Sequence, residues 1–174
     1  MIAFSIRLRR MAALAGASLV IALGGVPAAT QAAQVYSLKQ LVVGSIIPKA
    51  VVQSAIPFDK RYEELSPEQR DILRADYESL APDDETPFPA NGLKPLAEPL
   101  ARLALKSGFQ GALVAGVDVD STGKAKAVTI FKTPSVDFKD AVTNALLASD
   151  YRPARCKGQP CAQTYMLRLD FQQP

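Results

Sequence analysis

Two alternating apolar runs joined by a glycine turn, an amphipathic helix after them, and a last alternating run predict an α+β fold. The expected architecture is a small antiparallel sheet, made of a hairpin plus the C-terminal strand, with helices packed on one face. The hairpin is read from residues 112–120 and 125–132. In the first run Leu113, Ala115, Val117 and Val119 alternate with residues of the other face. In the second, Val128 and Ile130 oppose Ala127, Thr129 and Phe131, and Ser121-Thr122-Gly123 supplies the turn. The helix at 137–149 sets Phe138, Ala141, Val142, Ala145, Leu146 and Ser149 on one stripe, with Ser135 or Asp137 as its cap. In the last strand, 164–171, Tyr165, Leu167, Leu169 and Phe171 point one way and Met166, Arg168 and Asp170 the other.

Two more helices precede the hairpin. Residues 65–80 open with Ser66 placed as N-cap, Pro67 at the first helical position and Gln69 at capping-box spacing. Ile72, Leu73, Tyr77 and Leu80 form its apolar stripe, and Pro82 ends it. An acidic turn, Asp83-Asp84-Glu85, follows, and its proline flanks read as a solvated loop in preference to a metal site. A further helix at 93–106 carries Leu96, Leu100, Leu103 and Ala104 on one face and stops at Gly108. Between 34 and 58 the chain is β-branched and broken by Pro48 and Pro57. That pattern suits one or two short strands, paired on the domain or serving as an arm that docks on a partner.

The front of the chain has the three parts of an export signal. Arg7, Arg9 and Arg10 make a basic start, residues 11–26 an apolar stretch, and residues 27–33 a small-residue cleavage region, best cut after Ala32. The apolar stretch is short of the roughly 20 residues that span a bilayer. The alternative is an uncleaved anchor that reaches into Ala28 and Ala29. The domain scheme is therefore a signal peptide at 1–32, an extended segment at 33–64, a helix and acidic turn at 65–86, and the main domain at 87–174. The expected destination is the periplasm, with no stable membrane span after cleavage. Removing the signal lowers 20 basic residues to 17, which equals the 17 acidic ones. A near-neutral chain gives no electrostatic reason to expect a nucleic-acid partner.

Cys156 and Cys161 are the chain's two cysteines, and in an oxidising compartment they read as a disulfide. Four residues separate them, where a redox motif has two, and there is no histidine to complete a metal site. The absence of histidine also removes the usual general base and any triad. Asp118, Asp120 and Thr122 imitate the start of a calcium loop, but its twelfth position is Thr129 and its flanks are strands. Gly123 and Asp120 are better explained as turn residues. As a catalytic carboxylate pair, Asp118 and Asp120 would stand beside a solvated turn with no cleft implied. No catalytic residue, cofactor or metal is expected.

From Pro87-Phe88-Pro89 onward the chain resembles the TonB C-terminal domain family. The resemblance is carried by that segment and the helix after it, the 111–123 strand and turn, and Val128-Thr129-Ile130. The helix from Asp137, Tyr151-Arg152-Pro153-Ala154 and Gly158-Gln159-Pro160 before the last strand complete it. Two features depart from the family pattern. Cys156 and Cys161 bracket the Gly-Gln-Pro turn, and Thr133-Pro134-Ser135 stands where a Ser-Ser-Gly-like turn is common. The resemblance implies a non-enzymatic protein-binding domain that adds a short extended segment, such as one from an outer-membrane receptor, to a sheet edge. The strand expected to offer that edge is Thr164, Tyr165, Met166, Leu167, Arg168 and Leu169. The competing expectation is that residues 34–56 or a second copy cover it, as in a structural protein that dimerises through the last strand. A transducer of the family also needs an anchored helix with a histidine and a long spacer, which this chain does not display; retention of the N-terminal helix as an anchor would revive that role.

Overall fold

A computed structural model describes residues 34–41 and 48–172; the signal peptide expected at 1–32 lies outside them. Along the chain come β1 (Tyr36–Leu41), β2 (Pro48–Ser54), a 3-10 turn (Tyr62–Glu64), α1 (Pro67–Arg74), β3 (Phe88–Pro89) and α2 (Lys94–Ser107). There follow β4 (Gly111–Val119), β5 (Ala125–Lys132), α3 (Val136–Ala148), β6 (Tyr151–Arg152), β7 (Ala154–Cys156), β8 (Gln159–Cys161) and β9 (Gln163–Gln172). The main sheet is antiparallel with the order β1-β2-β9-β4-β5. The predicted trio of hairpin and last strand is present as β9-β4-β5. The β-branched stretch before it supplies two further strands, so it is a strand pair on the domain.

The last strand was expected at the sheet edge, and in this respect the expectation is corrected: β9 lies third of five. It pairs with β4 from Gly111↔Phe171 to Val119↔Gln163, and with β2 at Asp170, Phe171 and Gln172. Strand order depends on which long-range partner wins, and no local periodicity carries that information.

One face of the sheet is the core. Leu113, Ala115, Val117, Tyr165, Leu167, Leu169 and Phe171 are buried there, against Leu96, Leu100 and Ala104 of α2 and Phe138, Val142 and Leu146 of α3. Each such large side chain contributes about 1.5–3 kcal/mol through burial. Ser135, the first of the two expected caps, accepts from Phe138 N–H at 3.2 Å and starts α3. Gly108 ends α2 in the left-handed conformation, φ 71°.

The capping box of α1 forms as expected, with Gln69 N–H donating to Ser66 Oγ at 3.3 Å and Ser66 N–H to Gln69 Oε1 at 3.0 Å. The helix is nevertheless shorter than the apolar pattern suggests and closes at Arg74. Tyr77 leaves the helical path and carries its hydroxyl to a distant carbonyl on β9. Two of the motif pieces are joined because β3 pairs with β6 in the register Phe88↔Arg152 and Pro89↔Tyr151, and the Phe88 and Tyr151 rings both stand 5.9 Å from that of Tyr165.

Cys156 and Cys161 are bonded across the β7–β8 hairpin. Lys157 and Gly158 form its turn, with φ of 50° and 78°, as a two-residue hairpin of this type requires. The acidic turn is a docking point for this hairpin. Asp84 Oδ1 accepts from Lys157 N–H at 2.8 Å, and Glu85 and Arg155 exchange both backbone hydrogen bonds at 2.9 Å.

Asp120 organises the β4–β5 turn. Its Oδ1 accepts from Thr122 Oγ1 at 2.6 Å, Thr122 N–H at 2.8 Å and Lys124 N–H at 3.0 Å, while Lys126 Nζ stands 3.0 Å from Oδ2. Hydrogen bonds from the Thr122 hydroxyl, the Lys124 backbone and Lys126 hold this carboxyl well below the usual carboxylate range. A depressed folded pKa gives stability that is present above the unfolded value of about 3.9 and is lost as pH falls through the folded one. Asp120→Asn is therefore expected to lower the urea midpoint at pH 7. The gap from the unsubstituted protein should narrow only in acid below about pH 4, as urea titrations from pH 7 to pH 2 would show.

Candidate protein-binding edge

The two sides of β9 differ. On the β4 side, Leu113↔Leu169, Ala115↔Leu167 and Val117↔Tyr165 continue an unbroken ladder. In an antiparallel strand the backbone N–H and C=O of one residue point to the same side, and successive residues alternate. Thr164, whose carbonyl accepts from Tyr77 beyond the end of α1, thus shares its outward side with Met166, Arg168 and Asp170. On that side β2 pairs with residues 170–172 alone. Among the described residues, no strand meets the backbone of Met166 and Arg168 there.

This unpaired stretch borders a groove. Ala55 and Ile56 past the end of β2 form one wall, Ile72 and Leu73 of α1 the other, with Met166 and Arg168 along the strand. Ile72, which the apolar stripe would bury, is 38% exposed. At one end Tyr77 Oη donates to Thr164 O at 2.5 Å. Beside it Asp76 Oδ1 accepts from Arg168 Nε at 3.0 Å and Nη2 at 2.5 Å. Burial raises the Tyr77 pKa, and the charge of Asp76 raises it further, so the hydroxyl remains a donor at ordinary pH.

The six residues expected to form the edge divide by face. Tyr165, Leu167 and Leu169 are buried in the core, while Thr164, Met166 and Arg168 lie on the opposite face. Reading the sequence alone missed Ala55, Ile56, Asp76 and Tyr77. Asp76 and Tyr77 meet β9 across 92 and 87 residues, and no motif links them.

The free outer edge of the sheet on the other side is β5. An antiparallel pairing of two β5 strands centred on Thr129 would set Lys126 opposite the second copy's Lys132, a like-charge contact that opposes it.

Residues 101–172, from within α2 to the end of β9, match the family model described as Gram-negative bacterial TonB protein C-terminal. This segment is similar to TonB C-terminal domains. Such domains are non-enzymatic, periplasmic protein-interaction domains of the Gram-negative envelope. The matched segment comprises the second half of α2, the β4–β5 hairpin, α3 and β9, together with the disulfide hairpin. β1, β2 and α1 lie outside the match. None of the curated proteins compared with the chain matches it. Among the described residues no helix is long and apolar enough to cross a membrane.

Proposed function

We propose that this chain is a periplasmic protein-binding module of envelope transport that takes an extended segment as an added strand along Thr164–Leu169. The observation that carries the reading is the unpaired backbone of Met166 and Arg168 above the groove between β2 and α1. Backbone hydrogen bonds supply affinity in strand addition, and alternate side-chain contacts supply selectivity. The Cys156–Cys161 bond suits the oxidising compartment to which the N-terminal signal would send the chain. The partner class is a segment of an outer-membrane receptor, which the similarity to TonB C-terminal domains supports. A dimer paired along the whole of β9 would first have to displace β2 from Asp170–Gln172. A photoreactive side chain at position 166, irradiated in the native periplasm, tests the proposal. The expected result is an adduct with an extended segment of another envelope protein, mapped by mass spectrometry. Adducts confined to this chain would overturn it.

A further inference from the structure

We infer that the chain's own N-terminal half closes this edge, with Asp76 and Tyr77 as a latch that an incoming strand must release. The inference rests on the strand-addition reading and adds its regulation. β1, β2, α1, Asp76 and Tyr77 all precede the family-matched residues 101–172, and both ends of the β9 edge are occupied from that part of the chain. β2 holds Asp170–Gln172 by strand pairing, and Tyr77 and Asp76 hold Thr164 and Arg168 by side-chain hydrogen bonds. α1 is itself tied back to β1, because Gln69 Nε2 donates to Tyr36 Oη at 2.6 Å. One end of the edge is therefore a ladder and the other a removable cap.

The latch contacts are of a kind that can be exchanged. The Thr164 carbonyl accepts one hydrogen bond from Tyr77, and a backbone N–H of an added strand would satisfy the same acceptor. The Arg168 side chain is 59% exposed, so its pairing with Asp76 is screened by water and is weak. Release also gives the Met166 and Arg168 backbone groups partners that they lack on this side among the described residues. Release thus trades one donor for another and adds new hydrogen bonds, whereas displacing β2 would uncover the buried Val52. The first half of β9 is the end at which a partner enters.

The probe is a fluorescently labelled peptide of residues 48–54, Pro-Lys-Ala-Val-Val-Gln-Ser, because its parent strand already pairs antiparallel with this edge. Its binding to the exported full chain is measured by anisotropy for the unsubstituted protein, Tyr77→Phe and the Asp76→Ala/Tyr77→Phe pair. Amide exchange reports where it docks. The latch predicts affinity about tenfold tighter for the double variant, with Met166 and Arg168 protected in the complex. Equal or weaker binding by the variants, with those amides protected, overturns the latch and leaves strand addition standing. Absence of binding to all three, or binding that leaves Met166 and Arg168 unprotected, overturns strand addition and the latch together. Should the double variant lose its near-ultraviolet circular dichroism, Tyr77→Phe, which keeps the ring, carries the same comparison.

Discussion

Phe138→Ala is expected to destabilise the domain by about 3–5 kcal/mol, the cost typical of removing a buried aromatic side chain. Phe138 is fully buried and stands edge-on to Phe109 and to Phe171, each with ring centroids 5.2 Å apart. It thereby joins α3 to the chain just past α2 and to the end of β9. Truncation loses both the transfer energy and these ring contacts, and the surrounding strands and helices can collapse only partly into the cavity. Against a typical total of about 5–15 kcal/mol the loss is large. Guanidinium titration should show a midpoint far below that of the unsubstituted protein. A matched substitution at the exposed Val136 should move it little.

Gly123→Ala is expected to cost on the order of 3 kcal/mol, combining backbone strain with a steric conflict. The residue sits at φ 85°, where a side chain adds roughly 1–2 kcal/mol. A Cβ there would also lie 2.2 Å from the Tyr151 carbonyl oxygen. That oxygen belongs to a backbone that β6 and β3 hold in place, and Tyr151 N–H donates to Gly123 O at 3.0 Å. Gly108→Ala is the control. It shares the left-handed conformation, at φ 71°, but a Cβ there meets nothing within 4 Å. Its cost should be only the conformational part, about 1 kcal/mol. Urea denaturation of the two variants separates strain from collision.

These two positions also mark what the sequence makes legible. Phe138 belongs to a helical stripe, and such a stripe names its own buried face. Gly123 follows a strand and a Ser-Thr pair, and turn chemistry alone asks for a glycine. That Tyr151 presses on it depends on a contact between distant segments. The alternation along β9 is likewise local, so the buried set Tyr165, Leu167, Leu169 and Phe171 could be named in advance. The neighbour on its second side could not, because the β1–β2 stretch is short, proline-broken and ambiguous in period. α1 shows the same boundary from the other direction. Its start is written in Ser66, Pro67 and Gln69, whereas its end is decided by Tyr77 reaching Thr164. Thus the candidate strand was named by resemblance, while the groove beside it and the cap over it arise from tertiary placement.

Although interior, β9 keeps a short unpaired edge between β2 and α1. Residue-resolved amide hydrogen exchange in the partner-free protein tests this most directly. Tyr165, Leu167 and Leu169, whose N–H groups face β4, should exchange at the slow rate of the sheet core. Met166 and Arg168 should exchange at least about a hundredfold faster, since local opening is not needed to break a ladder bond there. Equal, core-like protection at all five residues would contradict the account, because it would mean that the edge proposed for the partner is already filled.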